Sequence, residues 1–532
     1  MRTPPYGIGL TCSTDAVQPY ADPEDPMSET DARTARHVDV LVVGAGLSGI
    51  GVAARLRREH PERTLAILES RAASGGTWDL FRYPGIRSDS DVQTYGYDFK
   101  PWKGRKALAP AADILGYIRE TAREYDLDRH IHYHHRVIRA DWSLSDARWT
   151  VVAQIGDTDE TATFTTNWLF CASGYYNYDR GYTPQLPGVE RFAGQLVHPQ
   201  HWPEDLDYVG KQVVVIGSGA TAVTLIPAMA DATGHVTMLQ RSPSYIIPLP
   251  AEDALSSVFR RVLGDERGYR LTRKKNIAQN VWIYKLCQRF PRQARAVIRW
   301  LNKRLLPSGF DVDTHFNPRY DPWDQRLCVV PGGDLFATIR KGKASVVTDR
   351  IETFTETGIA LESGRHLDAD IVVTATGLDL LALGGMELRL DGEPVDITER
   401  LAFKGTMLSD IPNFSFAVGY TNAPWTLKVD LVAEFLCRVL TEMDRRGADV
   451  AVAENREEGM DTRPLLDFAA GYVQRSLDLW PQAGTKDPWN LQMDYYKDVA
   501  VLRDTPVDDG TLTFAAAQPR PMRPDGDLVS PD

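Results

Sequence analysis

Two clusters of small residues in this chain have the types and spacing that cradle the phosphates of a dinucleotide. The first is Val43-Gly44-Ala45-Gly46-Leu47-Ser48-Gly49, and the second is Ile216-Gly217-Ser218-Gly219-Ala220-Thr221-Ala222. In such a turn the first glycine makes the bend and the second lets backbone approach a pyrophosphate. The third position, Gly49 or Ala222, lets a helix pack closely on the strand before it. That helix aims its first amides and the positive end of its dipole at the phosphates. Glu69 stands twenty residues beyond Gly49, where a carboxylate accepts hydrogen bonds from ribose hydroxyls. Arg241 and Ser242 stand at the matching point after the second turn. A cation there suits the 2′-phosphate of NADPH. One such turn is a weak signal. Two in one chain predict an enzyme with FAD at the first and NADPH at the second, passing hydride from nicotinamide to flavin.

Each turn needs a buried strand before it and a helix after it. Residues 38–43 and 212–216 are short β-branched runs suited to buried parallel strands. Residues 64–68 and 236–240 are second strands that lead into Glu69 and Arg241. Residues 169–174 and 370–377 are strands ending in small residues, where a chain of this design crosses between its domains. The expected fold is α/β, with two Rossmann-like dinucleotide-binding domains, for FAD and NADPH, and a helical insertion. The FAD-binding domain is expected over 37–178 and 369–515, and the NADPH-binding domain over 179–250 and 321–368. Residues 251–320 are read as the helical insertion, 1–36 as a disordered extension and 516–532 as a flexible tail.

The balance of charge, −12, argues against nucleic acid as a partner. Five scattered cysteines contain no Cys-x-x-Cys pair. That pattern fits a reducing cytoplasm and excludes the redox cysteine pair of a flavin disulfide reductase. Five prolines and scattered acids mark the first 36 residues, with no basic start followed by an apolar run. His130, His132 and His134 would share one face of a strand, but no nearby Cys, Asp or Glu completes a ligand set. A surface strand is the expectation, and no metal. Residues 256–304 hold fourteen Lys or Arg against two acids, with apolar residues at helical spacing. The favoured reading is the insertion's basic face. Peripheral contact with an anionic membrane is the secondary one.

Two longer motifs then resemble a known family. Phe192-Ala-Gly194-Gln-Leu-Val-His198-Pro-Gln-His-Trp202-Pro203 is similar to the FxGxxxHxxxW fingerprint of Baeyer–Villiger flavin monooxygenases. Gly75-Gly76-Thr77-Trp78-Asp-Leu-Phe-Arg-Tyr83-Pro84-Gly85-Ile-Arg-Ser-Asp89 is similar to a second, GGxWxxxxYPGxxxD. The ending Trp202-Pro203 favours the Baeyer–Villiger branch over its nitrogen- and sulfur-oxidising relatives. Resemblance runs from about residue 37 to 515, and is strongest to a mycobacterial branch that oxidises ketones and thioamide sulfur. The stretches that carry it include 78–91, 173–179, 198–207, 322–336 and 419–430.

The resemblance implies an NADPH- and O2-consuming enzyme that turns a small-molecule ketone into an ester or lactone through a C4a-peroxyflavin. The alternative is oxidation of a sulfide, thioamide or amine. It assigns Arg326 as the catalytic cation beside the flavin, with Asp89 holding it by a charge-assisted hydrogen bond. Gly76, Thr77, Trp78 and Asp89 are implied contacts of the flavin. Gln325 replaces the lysine that many members carry before the arginine, which puts stringency for NADPH in question. Phe192, Gly194, His198 and Trp202 are read as coupling the domains, with His198 and Trp202 as weaker candidates for touching the nicotinamide.

Overall fold

The computed structural model describes residues 35–517 apart from 105, 458, 467–469 and 492. Residues 1–34 and 518–532, which carry most of the expected extension and tail, lie outside the described residues.

The first apolar run forms the strand Arg36–Val43, parallel to Leu65–Leu68 on one side and to Thr161–Cys171 on the other. Val40, Leu41 and Val42 are fully buried, as a parallel strand covered on both faces requires. These strands are the centre of a nine-stranded sheet. Arg148–Ile155 and His135–Ser143 extend it antiparallel, and Phe414–Phe416 returns from late in the chain to pair with Thr161–Cys171. The helix Leu47–Glu59 buries Ile50, Val52, Ala53 and Ala54 and packs on the long helix Trp425–Arg446. One fold unit is therefore assembled from both ends of the chain.

The second apolar run forms the strand Gln212–Ile216 in a separate five-stranded parallel sheet. Its strands run Ala344–Thr348, His235–Gln240, Gln212–Ile216, Ile371–Thr374, Gln195–Val197. Here an expectation needs correcting. The boundary placed at residue 369 gave 370–377 to the first domain, yet Ile371–Thr374 hydrogen-bonds to both Gln212–Ile216 and Gln195–Val197. A buried four-residue apolar strand goes where ladder partners exist on both sides, so the crossover comes after Thr374.

Two segments connect the sheets, and they pair with each other. Tyr176–Gly181 runs antiparallel to Leu378–Leu380. The insertion contains the helices Ala254–Leu263, Asp265–Arg289, Pro291–Leu305 and Val312–Phe316. Its long helix is held on the first domain by Arg273. That guanidinium donates to the carbonyls of Gln93, Thr94 and Gly96 and to Asp430 Oδ2 at 2.8 Å.

The histidine run is not one strand. Asp128–His130 is a short 3-10 turn, Ile131–His132 a two-residue edge strand, and His134 turns with φ 58° before His135–Ser143 begins. The period-two argument fails because the chain bends twice within six residues. Among the described residues no helix is long and apolar enough to cross a membrane, and Cys171, Cys287, Cys328 and Cys437 are free and buried.

Candidate active site

Both glycine turns open onto one cleft of about 690 Å³ between the two sheets. Gly44, Gly46, Glu69, Gly76, Thr77, Trp78 and Asp89 line it from the first sheet's side. Gly217, Gly219, Arg241, Ser242, Gln325 and Arg326 line it from the second. Of Phe192, Gly194, His198 and Trp202, only His198 lines it.

The turns fit phosphates. Gly46 and Gly219 are the N-caps of helices of 13 and 10 residues, and neither helix has a side-chain cap or an acid in its first turn. Their leading amides are left to an anion. At Gly219 a Cβ would meet nothing within 4 Å, so bare backbone faces open cleft. Gly49 does something different. A Cβ there would lie 1.8 Å from the Gly44 carbonyl oxygen, so this glycine lets the helix close on its strand. Gly49 and Ala222 lie behind the cleft lining, which makes them packing residues rather than contacts.

Glu69 is buried and fixed. Its Oε2 accepts from Ala45 N at 2.8 Å and its Oε1 from Arg71 N at 3.0 Å. Burial pushes its carboxyl up, against those two amides. Glu69 thus ties the strand after the first turn to the turn itself and lines the cleft. Arg241 is exposed and forms no ion pair among the described residues, so its guanidinium is available to a phosphate.

Arg326 and Asp89 meet across 237 positions of sequence. Arg326 Nε donates to Asp89 Oδ2 at 2.6 Å and Nη2 to Oδ1 at 2.8 Å, the fork geometry of a bidentate pair. Ser90 Oγ lies 3.5 Å from Nη2. Burial works against the guanidinium's charge, but the Asp89 carboxylate and its hydrogen bonds raise the Arg326 pKa above its ordinary value. The side chain remains 36 % exposed, toward the cleft.

Aromatic rings line the same cleft. Tyr175 stacks on Trp425 with centroids 4.9 Å apart, and Trp425 Nε1 donates to Ser48 Oγ. Trp78 Nε1 donates to Tyr95 OH at 2.8 Å, and Thr77 Oγ1 and Tyr178 OH lie 3.1 Å apart. Burial raises Tyr95, Tyr175, Tyr176 and Tyr472, and pushes Tyr178 up to about 12, so these phenols stay protonated.

Most of the fingerprint packs on the second domain, and His198 reaches the connector. Phe192 packs edge-on against Phe354 at 5.8 Å, and Gly194 leaves room for the Asp370 carbonyl. Trp202 packs on the second domain's core. The His198 ring lies so close to the connector that a Cβ on Gly181 would be 2.0 Å from its Cε1. Burial lowers the His198 pKa, which keeps the imidazole neutral.

Sequence reasoning missed four contributors. Gln200 donates to the carbonyls of Asn177 and Tyr178 on the connector, and its position inside the fingerprint was an available signal. Arg87 pairs with Asp334 at 2.7 Å, yet its Nε and Nη2 have no partner and it lines the cleft. Tyr472 and Arg475 line it from a late segment that carries no motif, with Arg475 3.4 Å above the Tyr182 ring.

Comparison with known proteins agrees with this arrangement. The model of the family described as flavin-binding monooxygenase-like matches residues 106–382, and that of an NAD(P)-binding Rossmann-like domain matches 42–102. The FAD-containing monooxygenase EthA of Mycobacterium tuberculosis (strain H37Rv) is 53 % identical over 487 residues, covering 91 % of this chain and 99 % of that protein. The EthA of Mycolicibacterium smegmatis is 50 % identical over 479 residues, covering 90 % and 97 %. A solved structure titled oxidized steroid monooxygenase bound to NADP shares the fold, with a TM-score of 0.69 at 23 % identity over 90 % of this chain and 100 % of that one. The two phosphate turns, the buried Glu69 and these relatives agree: the chain belongs to the flavin-binding monooxygenase-like family and is an NADPH-dependent, FAD-containing monooxygenase.

Proposed function

We propose that this enzyme is a Baeyer–Villiger monooxygenase that converts a ketone to an ester or lactone. The observation that carries the reading is Arg326, held by both oxygens of Asp89 at the meeting of the two dinucleotide turns. Bound FAD, once reduced by NADPH, supplies an activated oxygen, of which one atom enters the product and the other leaves as water. Arg326 keeps its charge at any working pH and sits where negative charge develops on the reacting oxygens. Asp89 fixes the orientation of the guanidinium, so little reorganisation is needed as that charge forms. Trp78, Tyr95, Tyr175 and Trp425 exclude water and strengthen the cation's field. Arg241, exposed on the cleft wall, binds the 2′-phosphate of NADPH.

The test uses FAD-loaded enzyme, NADPH, isotopically labelled oxygen, a panel of ketones and a methyl sulfide, with products read by mass spectrometry. An ester carrying one labelled atom, lost in Arg326→Ala while NADPH still reduces the flavin, is the expected result. Sulfoxide from the sulfide with no ester from any ketone would move the enzyme to heteroatom oxidation.

A further inference from the structure

Three consecutive helices of the insertion turn apolar side chains outward. Ten of the seventeen large hydrophobic residues exposed among the described residues fall between Leu255 and Trp300. A stretch under a tenth of the chain thus carries most of them, and their spacing is regular. Leu255, Val258 and Val262 form one stripe on Ala254–Leu263, at i, i+3 and i+7. On Asp265–Arg289, Leu271, Trp282 and Leu286 stand eleven and four residues apart, which returns each to the same side. Val297 and Trp300 share a face of Pro291–Leu305. Trp282 is 63 % and Trp300 54 % exposed.

The long helix inverts the usual pattern of a soluble surface helix. Thr272, Arg273 and Asn276 are buried against the first domain while Trp282 faces out. No described element covers these stripes.

Charge points to the occupant. Among the fourteen cations of 256–304, Arg261, Arg267, Lys274, Arg289, Arg292, Lys303 and Arg304 have no carboxylate within ion-pair distance among the described residues. Lys274 and Arg289 lie three positions along from Leu271 and Leu286, beside the apolar stripe. The Arg304 guanidinium sits 5.0 Å over the Trp300 ring. A basic, tryptophan-bearing surface on a chain of net charge −12 is directional, because the rest of the molecule repels what this face attracts.

We propose that the outward faces of these three helices dock on an anionic phospholipid surface. The tryptophans enter the headgroup boundary and the unpaired cations meet lipid phosphates. The same helices back the arginine segment: Tyr284 packs edge-on to Trp323 at 5.6 Å, and Ile298 packs with Leu327, the neighbour of Arg326. Docking therefore holds the cleft beside the lipid surface.

Flotation of the full FAD-loaded chain tests this, with vesicles of phosphatidylcholine alone or mixed equally with phosphatidylglycerol. The enzyme is expected to float only with anionic vesicles and to be released as salt rises from about 0.05 to 0.5 M. The pairs Trp282→Ser with Trp300→Ser, and Lys274→Glu with Arg289→Glu, should each lower the floated fraction at least about fivefold. Both should retain flavin and wild-type NADPH oxidation, which shows that they are folded. Equal flotation with neutral vesicles, no flotation at low salt, or variants that float like wild type would overturn the proposal. So would a dimer abolished by the tryptophan pair with no vesicle binding, which would make this face a contact between copies of the chain.

Discussion

A guanidinium is useful beside developing negative charge only if it cannot swing away or lose its proton. Arg326 meets both conditions through Asp89, and the two functions can be separated by substitution. Arg326→Ala should lower product formation by about 10²–10³, the usual scale for removing one fixed donor from a developing oxyanion. Flavin reduction by NADPH, measured by loss of flavin absorbance, should stay within about twofold, because hydride transfer does not use this charge. Asp89→Ala leaves the cation but frees it, so the expectation is an intermediate loss of about tenfold, with more NADPH consumed per product and hydrogen peroxide as the difference. If Asp89→Ala matched Arg326→Ala in every readout, fixing the arginine would not be the carboxylate's role. On the proposed reading, Arg241 acts at the opposite end of the coenzyme. Arg241→Ala should raise KM for NADPH by about 10–100-fold and leave KM for NADH nearly unchanged, since only the former carries the phosphate it meets. Steady-state kinetics with both coenzymes decides this, and Gln325 beside Arg326 is the neutral position against which to read it.

At the scale of elements, local pattern and structure agree wherever a strand is buried on both faces. Residues 38–43 and 212–216 are read from sequence as strands, and they appear as Arg36–Val43 and Gln212–Ile216. Strand 370–377 is also legible, but its sheet is not, because Ile371–Thr374 would be equally apolar beside either set of partners. The histidine run shows the opposite failure. A period of two was visible there, but the positive φ at His134 that breaks it leaves no mark in the sequence. That run has a consequence for stability. Burial, followed by the charge of Arg36, lowers the His132 pKa from 6.5 to about 4. The folded protein therefore binds fewer protons than the unfolded chain between those values. Its contribution is present above the unfolded pKa and is lost as pH falls toward 4. His132→Phe, which keeps the ring against Phe164 at 5.3 Å, removes this penalty. The wild type should lose about 1 kcal/mol more than the variant between pH 7 and pH 5, after allowance for solvent screening of a half-buried ring. Denaturant titrations at the two pH values measure it, and parallel losses would show that His132 carries none of the acid sensitivity.

Over the whole molecule, the site is built by a topology that no local window reveals. Arg326 and Asp89 belong to opposite sides of the cleft, and the chain itself offers no spacing that would pair them. Resemblance supplied that pair, while Tyr472 and Arg475, on a late segment without a motif, became visible only when the cleft was seen whole. The connectors explain why a motif between domains belongs to the working enzyme. Tyr176–Gly181 and Leu378–Leu380 form one two-stranded ribbon, and on the proposed reading hydride transfer and oxygen insertion make different demands on how the sheets face each other. Gln200, 2 % exposed, binds this ribbon to the second domain through two carbonyls, at 2.9 and 3.0 Å. Gln200→Ala deletes both hydrogen bonds to half-buried carbonyls, a cost of about 1 kcal/mol borne by the ribbon. Neither dinucleotide turn is touched, so affinity for FAD and KM for NADPH should stay near wild type. The expected loss is in the rate of flavin reduction, about tenfold, because fewer molecules hold nicotinamide and flavin in register at any moment. Rapid mixing with NADPH under anaerobic conditions reads that step alone. A variant that reduces its flavin at the wild-type rate but unfolds at lower denaturant would make Gln200 a stabiliser of the ribbon and remove it from the catalytic cycle.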